Sequence, residues 1–122
     1  MAEIFESFKG WIAARELCLV CYRLVREFPT EERFALANQI RRAVVSIPSN
    51  IAEGLSRSSP KDILHFFVIA QGSIYEVMTQ IDIAHEMRYI SLADKREVFE
   101  KSKQVLRLIN GYKKYQKGAN NV

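Results

Sequence analysis

The chain is poor in the residues that build small chemical sites. Its 122 residues include two cysteines, two histidines, three prolines, five glycines and one tryptophan. Two cysteines allow at most one bridge, which excludes a disulfide framework. His65 and His85 have no metal-ligand spacing with each other, and no E-x-x-H pair of the di-iron type is present, so no metal is expected. The glycines are scattered, so there is no glycine-rich loop for phosphate, and no serine sits in a nucleophile elbow. No apolar stretch approaches the ~20 residues of a membrane span. The start of the chain carries two acids and lacks the basic segment of a secretory signal. A cytoplasmic protein with reduced thiols, no cofactor and no membrane partner is the expectation.

What is present is apolar surface and positive charge. The chain is 48% hydrophobic, enough for one domain with its own core. Eighteen Lys and Arg against fourteen Asp and Glu give a net charge of +4. That charge is unevenly spread. Residues 101–122 hold six basic residues and no acid, whereas the rest has 12 basic against 14 acidic residues, or −2.

Three breaks, at Phe28-Pro29-Thr30, Ser56 to Pro60 and Arg88 to Ser91, divide the chain into four segments with helical periodicity. The spacing predicts helices over about 9–28, 31–56, 60–88 and 92–116. Trp11, Ala14, Cys18, Cys21, Val25 and Phe28 make a stripe in the first. Thr30 is the expected N-cap of the second, whose apolar side is Leu36, Ile40, Val44, Ile47 and Ile51. Pro48 inside that helix lacks an N–H and crowds the Val44 carbonyl, which predicts a kink, with small and hydroxyl residues around it leaving room for the freed carbonyls. Ser59 with Asp62, and Ser91 with Asp94, predict capped starts for the third and fourth helices. Gly72-Ser73 in mid-helix predicts close approach of a neighbouring backbone. The tail from Lys117 is expected to fray. No segment alternates with period two. An all-α, antiparallel up-down-up-down four-helix bundle of residues 1–122 follows. The first and third helices are apolar nearly all round, as in Leu17 to Tyr22 and Ile63 to Ala70, which predicts a second buried surface in a homo-oligomer.

Three constellations bear on function. Cys18 and Cys21 read C-x-x-C, but lack both a βαβ context and two further zinc ligands, so they are small buried hydrophobes. The polar side of the second helix carries Arg42, Ser46, Asn50 and Glu53, with Glu16 and Glu76 as candidate partners for Arg42, a structural polar network. Arg96, Lys103, Arg107, Lys114 and Lys117 form a one-signed face that suits nucleic acid. No catalytic set emerges, and an enzyme is not expected.

The run from Gln39 through Gly54, with Arg42, Ser46-Ile47-Pro48-Ser49-Asn50 and Glu53, resembles the signature of the four-helix-bundle proteins encoded in intervening sequences of bacterial 23S rRNA genes. Trp11, Ala14, Glu16 and Leu17, then Arg57, Ile69 to Ser73, Glu76 and Tyr89-Ile90, extend the resemblance over nearly the whole chain. Ala35 and Arg88 stand where a glycine is usual, and Ala37-Asn38 where a hydroxyl pair is, so the third turn is open to change. The resemblance implies an antiparallel bundle assembled as a ring-like homopentamer, with no enzymatic activity assigned. The accessory variability proteins of diversity-generating retroelements are similar in fold, and bind nucleic acid and a reverse transcriptase through a basic surface. The function expected is therefore a non-enzymatic scaffold binding RNA or DNA by phosphate contact. The alternative is a structural ring or protein-interaction module with no nucleic-acid role.

Overall fold

The computed structural model describes residues 4–120. A short helix α1 (Ile4–Ser7) precedes four long ones, α2 (Lys9–Val25), α3 (Leu36–Leu55), α4 (Pro60–Glu86) and α5 (Leu92–Asn120), with one 3-10 turn at Thr30–Glu32. There is no strand among the described residues. Each long helix packs on the next and α5 returns to α2, with α3–α4 the most extensive pairing. Side-chain register gives the directions. Trp11 lies by Ala52, Cys18 by Val44 and Tyr22 by Arg41. Gly54 abuts Phe67, Ser46 meets Ser73, and Gln39 lies by Gln80. Gln71 bonds Asn110, and Asp82 bonds Lys95. Phe8 packs by Tyr112, and Arg23 pairs with Glu97. In each pairing one number rises as the other falls, so every neighbour is antiparallel.

The stripes turn inward as their spacing dictates. Ile40, Val44, Ile47 and Ile51 of α3, Ile74, Val77, Ile81 and Ala84 of α4, and Val98, Val105 and Ile109 of α5 are buried. On α2 the buried line also takes in Leu17, Val20 and Leu24, so Trp11 and Cys18 sit at its edge. The apolar run of α4 splits. Ile63, Phe67 and Ala70 face the core, while Val68 and Ile69 face out.

The helix ends differ from expectation in instructive ways. The first long helix stops at Val25, because the residue before Pro29 is biased away from helix, and Phe28 closes on the Val25 carbonyl in a tighter turn. Thr30 caps nothing with its side chain, and α3 starts only at Leu36. Its cap comes from Glu32, whose Oε1 accepts from the Leu36 N–H at 3.3 Å while Oε2 accepts from the Tyr89 hydroxyl at 2.8 Å. One carboxylate thus holds the start of α3 to the α4–α5 turn. Ser59 accepts from the Asp62 N–H at 3.1 Å, and Ser91 and Asp94 form a reciprocal box. The third turn is a complete Schellman motif. The Arg88 N–H donates to His85 O and the Tyr89 N–H to Ala84 O, each at 2.9 Å. Arg88 holds it with φ of 66°, the left-handed conformation for which glycine is suited. The tail does not fray at Lys117, since α5 continues to Asn120. Asn121 and Val122 lie outside the described residues.

Glycine placement also corrects the reading. A Cβ added at Gly72 meets nothing within 4 Å, so no backbone approaches it within the bundle. The close approach is at Gly54, where an added Cβ would lie 2.9 Å from the Phe67 ring and 3.2 Å from the Ile63 carbonyl.

Candidate functional surfaces

Pro48 organises the middle of α3. It supplies no N–H, so the Val44 carbonyl loses its helical donor. The Cys18 thiol of α2 donates to that carbonyl at 3.0 Å. The neighbouring carbonyls also take side-chain donors. Ser46 Oγ donates to Ala43 O at 2.8 Å, Ser49 Oγ to Val45 O at 2.8 Å, and Asn50 Nδ2 to Ser46 O at 2.8 Å. Four successive carbonyls are thereby satisfied around the proline. The Ser46 oxygen also pairs with the Ser73 hydroxyl of α4. Ser46 and Asn50 therefore bond carbonyls of their own helix rather than Arg42, and α3 runs unbroken from Leu36 to Leu55.

The remaining members of the expected polar network do not converge. Glu16 is exposed on α2 and forms no ion pair with Arg42 among the described residues. Glu53 pairs locally with Arg57 at 3.3 Å. Arg57 in turn lies 4.9 Å over the Phe66 ring, which covers part of the apolar back of α4. Arg42 stands exposed on the crest of α3 and lines a groove on each side of it. The α3–α4 groove brings Arg42 together with Glu76, Ser46, Ser73 and Gln80, yet no ion pair joins Arg42 to Glu76. The Gln80 Oε1 there is buried without a hydrogen-bond partner. On the other side, Trp11, Arg15, Tyr22, Val45 and Pro48 line an apolar groove between α2 and α3.

The thiols carry no site chemistry. Both are free, and burial pushes Cys18 up to about 11 and Cys21 up to about 12, so neither is a thiolate near neutrality. Among the described residues no three His, Cys, Asp or Glu side chains gather. His65 is exposed and His85 half-buried. No helix is long and apolar enough to cross a membrane among those described.

The basic residues of α5 do share a face. Arg96, Lys103, Arg107 and Lys114 fall within about 40° of one another around the helix, with Lys117 about 60° to one side. All five are exposed, and none has an acidic partner among the described residues. Lys95 and Lys113 are engaged elsewhere, by Asp82 at 2.6 Å and Gln71 at 2.8 Å. Glu100 shares the start of this face, so the purely cationic stretch begins at Lys103.

Exposed apolar side chains form the second surface feature. Leu19 is 64% exposed, Tyr75 59% and Phe34 84%. Val45, Val68, Ile69 and Ile83 are also exposed. Sequence patterning located Leu19 and the back of α4. It missed Phe34, which stands in the loop before α3 where no periodicity applies.

Four antiparallel helices closed in a ring of pairwise contacts, with a proline inside α3, define an all-α four-helix-bundle protein. The chain belongs to the 23S rRNA-intervening sequence protein family, whose model matches residues 6–111. It is similar to a solved structure from Bacteroides thetaiotaomicron, a protein with unknown function from the S23 ribosomal protein family. The TM-score is 0.79 and the identity 21%, covering 86% of this chain and 98% of that one. No curated protein matches the chain.

Proposed function

We propose that the chain is a non-enzymatic scaffold, assembled as a ring-like homopentamer, that binds RNA or DNA through the α5 face. The observation that carries this reading is the unpaired stripe of Arg96, Lys103, Arg107, Lys114 and Lys117. From Lys103 to Lys117 it runs about 21 Å at 1.5 Å per residue, a length that meets several backbone phosphates. Repeated around a closed oligomer, such a stripe concentrates field of one sign. Aromatic support for base stacking is slight. Tyr112 packs against Phe8 and Phe67, leaving Tyr115 exposed. The contact is therefore with phosphate and tolerant of sequence.

Binding of the purified protein to structured RNA and duplex DNA across a salt series tests this. Five phosphate contacts predict a log–log slope of about −4.5 on duplex DNA, and Lys103→Glu with Arg107→Glu reduces it by about 2. Unchanged affinity in the double variant refutes the site. Absence of binding by the wild type at low salt refutes the nucleic-acid role. It favours the second reading, a structural ring with protein partners, which the exposed apolar residues of α2 and α4 support.

A further inference from the structure

We infer that the outer face of α4 in one copy docks, head to tail, into the α2–α3 groove of a second copy; this rests on the homo-oligomeric reading above and names its contact faces. Two separate apolar surfaces of the same chain are opposite in charge. The α4 face presents Val68, Ile69, Tyr75 and Ile83 around Gly72. Gly72 has open space around its α-carbon, so the bundle itself has no use for a glycine there. A bare backbone at that point lets a second copy come close. The groove presents Trp11, Tyr22, Val45 and Pro48, flanked by Leu19.

Charge selects the pairing. From Asp62 to Met87 the α4 segment has no Lys or Arg, and it exposes Glu76 and Glu86. The groove is lined by Arg15, Arg41 and Arg42 and by no acid. None of these arginines, nor Glu76, is in an ion pair among the described residues. An α4-on-α4 contact would set acid against acid, and a groove-on-groove contact would set arginine against arginine. Between these two faces only the cross pairing joins opposite signs. Because it uses two different faces, each copy keeps one free face after the first contact, which is the condition for ring closure. The α5 stripe takes no part and stays open.

The test uses two variants of the full chain and their mixture in sedimentation. Gly72→Lys adds bulk and a cation to the α4 face, and Val45→Glu places an acid in the groove. Each is expected to lose assembly and sediment as the 14.1 kDa monomer, with unchanged helical circular dichroism. Mixed one to one, they are expected to associate again, since each supplies the face that the other lacks. Tyr75→Lys and Leu19→Glu repeat the test at residues 59% and 64% exposed, where folding does not depend on the side chain. A variant of either face that keeps the native mass overturns the pairing, as does a mixture that stays monomeric. A wild type that is itself monomeric overturns the oligomeric reading instead.

Discussion

Replacing Arg88 by glycine should stabilise the protein. Arg88 occupies the left-handed position of the Schellman turn after α4, with φ of 66°. For a residue with a Cβ that conformation costs roughly 1–2 kcal/mol. Glycine removes the clash but gives the unfolded chain more freedom, which returns roughly 0.5–1 kcal/mol. The Arg88 side chain is exposed and in no ion pair among the described residues, so little else is lost. The net gain is about 0.5–1 kcal/mol, or a rise in Tm of about 2–5 °C for a domain of this size. Calorimetry or urea titration at one fixed protein concentration measures it, since assembly makes Tm concentration-dependent. Arg88→Ala is the control, because it trims the side chain and keeps the clash. Arg88→Asn should fall between, since asparagine tolerates this region. A glycine variant no more stable than wild type refutes the reasoning. So does an alanine variant that gains as much as glycine, which would trace the effect to the side chain.

Gly54→Ala should lose about 1–2 kcal/mol, because its Cβ is forced to 2.9 Å from the fully buried Phe67 ring; a urea midpoint at or above wild type contradicts this. Cys18→Ala should cost about 1 kcal/mol or more by orphaning the Val44 carbonyl, and less in a Pro48→Ala background where a backbone N–H returns. Additive losses in that double-mutant cycle would separate the thiol from the proline. Stability should fall as pH rises from about 9 towards 11 and 12. Burial raises both thiols from their ordinary value, so the stability they contribute is complete below about 9 and is lost as the folded-state thiols ionise. A urea midpoint flat from pH 9 to 11 would contradict those shifts. Cys21 should resist alkylation in the native protein and react once unfolded, and fast native labelling would show that it is not enclosed.

The helices were legible because three signals agree in each of the last two. Apolar period, N-cap serine and first-turn acid all mark the starts at Ser59 and Ser91. The start of α3 was not, because Thr30 followed by two glutamates has the local pattern of a cap. The cap that forms instead depends on Glu32 meeting Tyr89, 57 positions away. Spacing along α3 puts Ser46 and Asn50 in one polar network with Arg42 and Glu53. They donate instead to the Ala43 and Ser46 carbonyls of their own helix, either side of the Val44 carbonyl that Pro48 frees. The donor to Val44 comes from another helix, and nothing local to Cys18 announces it. The α5 stripe was readable in full, since a solvent-facing helix side follows from spacing alone. The close backbone approach expected at Gly72 is at Gly54 instead, because a mid-helix glycine in the sequence does not say which face of the helix it lies on.

The thiol of Cys18 bears on motion as well as on stability. Apolar packing between two helices tolerates small sliding and rolling, because it has no preferred direction. A bond from one sulfur to one carbonyl does not. With Ser46 tied to Ser73 on its opposite flank, α3 is pinned near the same level to both of its neighbours. It cannot roll about its axis without breaking one pin or the other. The proline that weakens the helix along its length thereby ties its rotation to α2, and the crest that carries Arg42 keeps one orientation between its neighbours.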